Sequence, residues 1–321
     1  IFMLRTIYKK YQKLVGTVNF LWRYSNENVQ YTNQDASDII YNMLMEDKPL
    51  MIARFGAVEL SCILNNNFID GGVLKNIFNV IKGYPYFLIF NSSVKYSMTN
   101  NAGFFPATDE NLKRFSELYL KSSNEIDILA SWMKHERYIY SYMKKDHKRI
   151  FLDDLDSFRH ENPWTRALEG KKVLVIHPFE ESIKEQYEKH ALLFKDKRVL
   201  PKFEIVTLKA VQSIGGKGDN QFKDWFEALD YMVKEIEKKD FDIALIGAGA
   251  YGMPLAYKIK KMGKKAIHIG GSLQCLFGIK GSRWEAPVYN YNNLYYNENW
   301  IRPNENEKPK TAEKVENACY W

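Results

Sequence analysis

The run Gly247-Ala248-Gly249-Ala250-Tyr251-Gly252 has the residue types and spacing of a phosphate-binding turn. It follows the apolar run 243–246 and opens the helical pattern 251–262, the context such a turn requires. Glycines let the backbone approach a diphosphate closely, and the first N–H groups of the helix add unpaired donors and partial positive charge. The alternative is a turn whose glycines serve strand–helix packing alone. A second glycine turn, His268-Ile269-Gly270-Gly271-Ser272, ends the next strand and opens onto a helix carrying Gln274. Two neighbouring strand ends of this kind make one anion-accepting ledge. His177 ends a third strand, and His177 and His268 can hydrogen-bond a phosphate or act as acid or base; each can equally be a structural hydrogen-bonder. Lys280, Arg283 and Trp284 follow, able to neutralise a diphosphate and stack on a ring, or to form a solvated charged loop.

A nicotinamide-binding turn is accompanied by an Asp or Glu about 20 residues further on, which holds the ribose hydroxyls. Here no acid occurs between Leu255 and Glu285. An NAD(P)-dependent oxidoreductase is therefore the weaker reading of these glycines. Earlier in the chain, Arg54-Phe55-Gly56-Ala57-Val58-Glu59 follows the apolar run 50–53. Arg54 and Glu59, flanking the turn at Gly56, can grip a phosphate and a sugar hydroxyl or a metal. An Arg–Glu ion pair at a helix start is the commonplace alternative.

Residues with these roles need strands that end at a common edge. Apolar runs over 50–53, 126–130, 150–152, 172–176, 204–208, 243–246 and 265–269 read as strands. Helical patterns occupy 33–46, 58–64, 72–82, 108–120, 138–144, 181–194, 222–238 and 251–262, with Thr32 or Asn33, and Thr108, as N-caps. The stretch 84–90 is aromatic, 100–106 and 215–218 read as loops, and the tail after Pro287 looks irregular until Tyr320 and Trp321. Alternating strands and helices predict an α/β fold with a Rossmann-like parallel sheet and helices on both faces. Residues 3–22 add an N-terminal amphipathic helix, with Lys9, Lys10 and Lys13 beside Ile7, Tyr11, Leu14 and Val18. It fits either peripheral contact with a membrane surface or docking on the body. The expected organisation is an N-terminal helix and connector (1–31), an α/β half carrying the Arg54–Glu59 motif (32–155), and a nucleotide-binding half with an irregular tail (156–321).

Composition narrows the partners. A formal charge of +7 favours acidic ones: nucleic acid, phosphorylated small molecules or an anionic membrane. The lysines are dispersed with no dense basic block, so nucleic acid is not expected. The 21 Tyr and 19 Phe suit stacking on sugars or bases, and suit a Tyr-rich composition equally well. Cys62, Cys275 and Cys319 form no Cys-x-x-Cys pair, which points to a reducing, cytoplasmic compartment without a cysteine zinc site. The longest apolar run near the start, about 14–22, is too short to span a bilayer.

Three stretches, 51–60, 172–179 and 242–284, resemble the GT-D-fold glycosyltransferases, a family of bacterial glycan-biosynthesis enzymes once grouped as a domain of unknown function. The likeness rests on the Arg54–Glu59 run, on Gly247 to Ala256 and on Ile267 to Gly271. What the resemblance implies is a GT-D-type architecture that moves a sugar from a nucleotide-sugar donor, a UDP-sugar foremost, to a glycan, glycoprotein or lipid-linked acceptor. The candidate catalytic residues are Glu59, as base or residual metal ligand, and His177. The candidate donor-binding set is Arg54, Gly56, Gly247, Gly249, Tyr251, Gly252, His268, Gly270, Gly271, Gln274, Arg283 and Trp284. The family pairs an Asp with the Glu of its first motif to hold Mn2+ or Mg2+; this chain has Ala57 and Val58 there, and only Glu59 remains. One acid is a weaker metal anchor than two, so Lys280 and Arg283 are candidates to share the role. A non-catalytic nucleotide- or glycan-binding subunit is the alternative this departure leaves open.

Overall fold

A computed structural model describes residues 29–70, 90, 92–214, 221–314 and 318–321. The expected helices over 3–22 and 72–82, the stretch 84–89 and the loop 215–218 lie outside the described residues. Seven strands form one all-parallel sheet: β1 (Leu50–Ala53), β2 (Ile128–Ser131), β3 (Lys148–Phe151), β4 (Lys172–His177), β5 (Glu204–Lys209), β6 (Ile243–Ile246) and β7 (Lys265–His268). Their order across the sheet is β3-β2-β1-β7-β6-β4-β5. The halves expected on either side of residue 155 join where β1 pairs with β7, Met51 opposite Ala266.

Strand alternation assigns the two faces. Met51, Ala53, Leu174, Ile176, Ala244, Ile246 and Ala266 point to one core, where the helices Ala57–Asp70, Asp109–Ser123, Trp225–Glu237 and Gly252–Lys261 pack. Leu50, Ile52, Val173, Val175, Ile243, Leu245 and Ile267 point to the other, covered by Asn33–Met45, Glu180–Tyr187 and the residues after Leu273. The expected Rossmann-like architecture, a parallel sheet covered on both faces, is the observed one. Among the described residues no helix is long and apolar enough to cross a membrane.

Local chemistry sets several boundaries. Thr108 Oγ1 accepts the Asn111 N–H (3.2 Å) and Asp224 Oδ1 accepts that of Glu227 (2.8 Å), so both helices begin at side-chain caps. Thr32 occupies its expected N-cap position without a side-chain capping bond. The single helix expected over 181–194 is two, Glu180–Tyr187 and His190–Leu193, because Lys189 leaves helical geometry (φ −102°, ψ 14°). Residues 138–144, expected to be helical, form short 3-10 turns, Lys134–Tyr138 and Tyr140–Tyr142. The irregular tail is pinned to the body: Tyr291 donates to Asp156 (2.6 Å) and Trp300 Nε1 to the Leu193 carbonyl (3.1 Å).

Candidate functional site

The carboxyl ends of β1, β7, β6 and β4 lie side by side and present Arg54, His268, Gly247 and His177 in that order. From β4 the chain continues outward to β5, whereas from β6 it continues the other way to β7. The helix after β4 packs on one face and the helix after β6 on the other. A crevice opens between the loops of two such strands, and ligands of open α/β sheets bind there. The cleft at this point is lined by His177, Pro178 and Phe179 after β4, by Gln212, Ser213 and Ile214 after β5, and by Gly247, Ala248, Gly249 and Tyr251 after β6. Asn101, Ala102, Gly271, Gln274, Tyr320 and Trp321 complete its walls.

A helical segment follows each of these four strands, and among the described residues the chain itself fills three of those beginnings. After β1, the Glu59 carboxylate folds back over Gly56 into the space a Cβ would need there. After β4, the buried carboxylate of Glu307 accepts the Glu181 and Ser182 N–H groups (2.8 and 3.2 Å) and the Ser182 hydroxyl. After β7, the Tyr320 ring lies over Gly271. The turn after β6 differs. Gly249 is exposed at φ +51°, with no atom within 4 Å of where its Cβ would stand. The N–H groups of Gly249 and Ala250 find no backbone acceptor among the described residues. Such a turn takes an anion, because its donors and the positive end of the helix dipole converge on the same point.

Two glycines of the motif do another job. A Cβ on Gly247 would overlap the His177 ring and stand 2.9 Å from the Gly270 carbonyl oxygen; one on Gly252 would overlap the His268 ring. Both rings are buried. The Phe179 N–H donates to His177 Nδ1 (3.0 Å), so the neutral ring carries its proton on Nε2. Burial holds the His177 pKa down at about 3. In this tautomer the ring presents its Nε2–H at the cleft wall, and its Nδ1 lone pair is taken by the Phe179 N–H. Burial, with the Arg54 charge second, likewise holds His268 down at about 3. His268 fills space beneath Gly252 and does not line the cleft.

Tyr251 projects inward: its ring stacks on Trp225 (4.7 Å between centroids, 7° between planes) and its hydroxyl meets Ser213 Oγ at 3.2 Å. Ser213 in turn donates to the Gly103 carbonyl (2.6 Å), tying the loop after β5 to the glycine turn. Beside this cleft, Arg54 stands 5.5 Å from the Trp132 ring centroid, and its charge acts on two buried acids, Glu59 and Glu136. Burial raises the Glu59 pKa against the opposing Arg54 charge. Burial also pushes Glu136 up to about 7, although Ser131 Oγ and the Trp132 and Met133 N–H groups donate to it. Among the described residues no three His, Cys, Asp or Glu side chains assemble into a cation site. Glu59 faces a guanidinium rather than a second acid, so this donor set does not fit Mn2+ or Mg2+.

Of the residues the sequence singles out, His177, Gly247, Gly249, Tyr251, Gly271 and Gln274 meet in the cleft. Arg54, Gly56, Glu59, Gly252, His268, Gly270, Arg283 and Trp284 do not line it. Glu136, Gln212, Ser213 and Glu307 were not anticipated. For Glu136 one signal exists, an acid five residues beyond the strand-ending Ser131; nothing local marks the others.

No family model matches the chain, and no curated protein matches it. Among solved structures it is similar to a selenomethionine-substituted structure of domain of unknown function 1792 (DUF1792), at 11% identity and a TM-score of 0.42, over 85% of this chain and 95% of that one. This is the family that the sequence motifs resemble. A TM-score this low says nothing about activity, so function rests on the site.

Proposed function

We propose that the chain is a glycosyltransferase that takes a sugar from a nucleotide-sugar donor, a UDP-sugar first among those to test, and passes it to a glycan, glycoprotein or lipid-linked acceptor hydroxyl. One observation carries this reading: the open turn Gly247–Tyr251, left uncovered among the described residues where the helix beginnings after β1, β4 and β7 are filled, lies in the cleft between β6 and β4. The donor's diphosphate sits against the Gly249 and Ala250 N–H groups, with the His177 Nε2–H as a further donor. These groups stabilise the charge that grows on the diphosphate as the anomeric C–O bond breaks. The acceptor oxygen forms the new bond to the anomeric carbon, and its proton passes to a carboxylate. Glu59 is the candidate base: its carboxylate stands at the turn after β1, and burial makes it more basic than an ordinary carboxylate. No step runs through a metal.

Glu59 lies outside the cleft lining and Ala57 carries no acid, which favours a second reading, a nucleotide-binding subunit without turnover. The oxidoreductase reading has less support, because β7 ends in His268 where a ribose-binding acid belongs. A thermal-shift screen against UDP-, GDP-, CMP- and dTDP-sugars and NAD(P), with and without manganese, followed by assay of donor hydrolysis and transfer, separates the three. Stabilisation by one sugar nucleotide with turnover above a no-protein control supports the transferase. Binding without turnover supports the subunit, and a response to NAD(P) alone overturns both. Glu59→Gln is expected to bind donor and not turn it over; normal turnover removes Glu59 from the mechanism.

A further inference from the structure

Gly271, Gln274, Arg283 and Trp284 carry the chemistry of a nucleoside site, and the chain's own last described residues are bound to all of them. The edge of the Tyr320 ring fills the space beside Gly271, its Cδ1 3.2 Å from where a Cβ would stand. The Arg283 guanidinium carbon lies 4.7 Å from the centroid of that ring, and the Trp284 ring packs beside it at 6.0 Å. Gln274 Nε2 donates to the Tyr320 carbonyl (3.0 Å), and the Arg283 N–H to that of Cys319 (3.0 Å). Trp321 stands edge-on to Phe179 at 5.7 Å and walls the same cleft.

The aromatic ring beside the Arg283 guanidinium, its edge admitted by Gly271 and its backbone carbonyl accepting from the Gln274 amide, engages the kinds of group that hold a pyrimidine or purine base. The segment is also held at a cost. Among the described residues the buried Trp321 Nε1 finds no hydrogen-bond partner, and Ala318 adopts a left-handed backbone at φ +56°. With the segment in place, Tyr320 and Trp321 wall the cleft beside Gly271 and Gln274, so a base reaching those residues meets the two rings.

We infer that Tyr320 and Trp321 occupy the base-binding half of the ligand site and leave it when a nucleotide binds; this rests on the nucleotide site proposed above. The segment is then an internal competitor that lowers nucleotide affinity by the fraction of time it is seated. Pyrophosphate, which needs only the Gly247–Tyr251 turn, does not compete with it.

Calorimetric titration of pyrophosphate and of UDP, GDP, CDP and dTDP tests this on the unaltered chain and on Tyr320→Ala, Trp321→Ala and the double variant, each checked for an intact melting transition. A segment seated nine-tenths of the time gives the double variant about tenfold tighter binding of the preferred nucleotide, with pyrophosphate unchanged. Tyr320→Phe, which keeps the ring, is expected to bind like the unaltered chain. Unchanged or weaker nucleotide binding by the double variant, with pyrophosphate still bound, overturns this inference and leaves the site reading intact. Absence of any binding by either protein overturns the site reading, and this inference with it.

Discussion

Alanine at Gly247, Gly249 and Gly252 separates glycines that pack from the glycine that meets a ligand. At Gly247 the new methyl would overlap the His177 ring and stand 2.9 Å from the Gly270 carbonyl; at Gly252 it would overlap the His268 ring. Both rings are at most 3% exposed, so neither can swing into solvent. Overpacking of this kind costs about 1–3 kcal/mol, and the enclosed rings place both variants at the upper end, about 3 kcal/mol. At Gly249 the methyl meets nothing within 4 Å, and only the backbone at φ +51° resists it, at about 1–2 kcal/mol. Function is expected to rank the other way. Alanine at Gly249 adds bulk on the open turn and disturbs the N–H that receives the anion, weakening pyrophosphate binding at least about tenfold, or ~1.4 kcal/mol. Urea denaturation measures the stabilities and calorimetry the affinities. Gly249→Ala with unaltered pyrophosphate affinity, or Gly247→Ala with unaltered stability, refutes the reasoning.

Two further predictions concern groups around the cleft. The unfolded state binds a proton at His177 near pH 6.5 and the folded state only near pH 3, so His177 opposes folding increasingly as pH falls below about 6.5. The stability of the unaltered chain relative to His177→Gln should therefore fall by about 2 kcal/mol between pH 7.5 and pH 5, and a flat difference in urea titrations at the two pH values contradicts the buried neutral ring. Glu307→Gln removes the charge that caps Glu180–Tyr187 and should cost about 1–2 kcal/mol in the same denaturation assay without altering pyrophosphate affinity, because that helix beginning takes no ligand here.

The sheet was legible because its central strands are buried on both faces and so read as short uninterrupted apolar runs: β1, β4, β6 and β7 fall within a residue of expectation. The glycine turn was legible because its spacing and flanking elements are local. The helix Ser92–Asn100 was not, since it buries Met98 and little else and shows no apolar stripe. The division of labour among the glycines was hidden as well. That Gly247 makes room for His177, that Glu307 caps a helix 127 residues earlier than itself at Glu180, and that Tyr320 covers Gly271 are contacts between distant segments. Periodicity and spacing record what a residue does to its neighbours along the chain, and these residues act across it.

The most direct test of the central claim follows backbone amide resonances while pyrophosphate, and then a nucleoside diphosphate, is added. Gly249 and Ala250 are expected to shift together and saturate, while Glu181 and Ser182, already bonded to Glu307, stay in place. Saturable shifts elsewhere on the sheet edge, with Gly249 and Ala250 unmoved, would contradict the account.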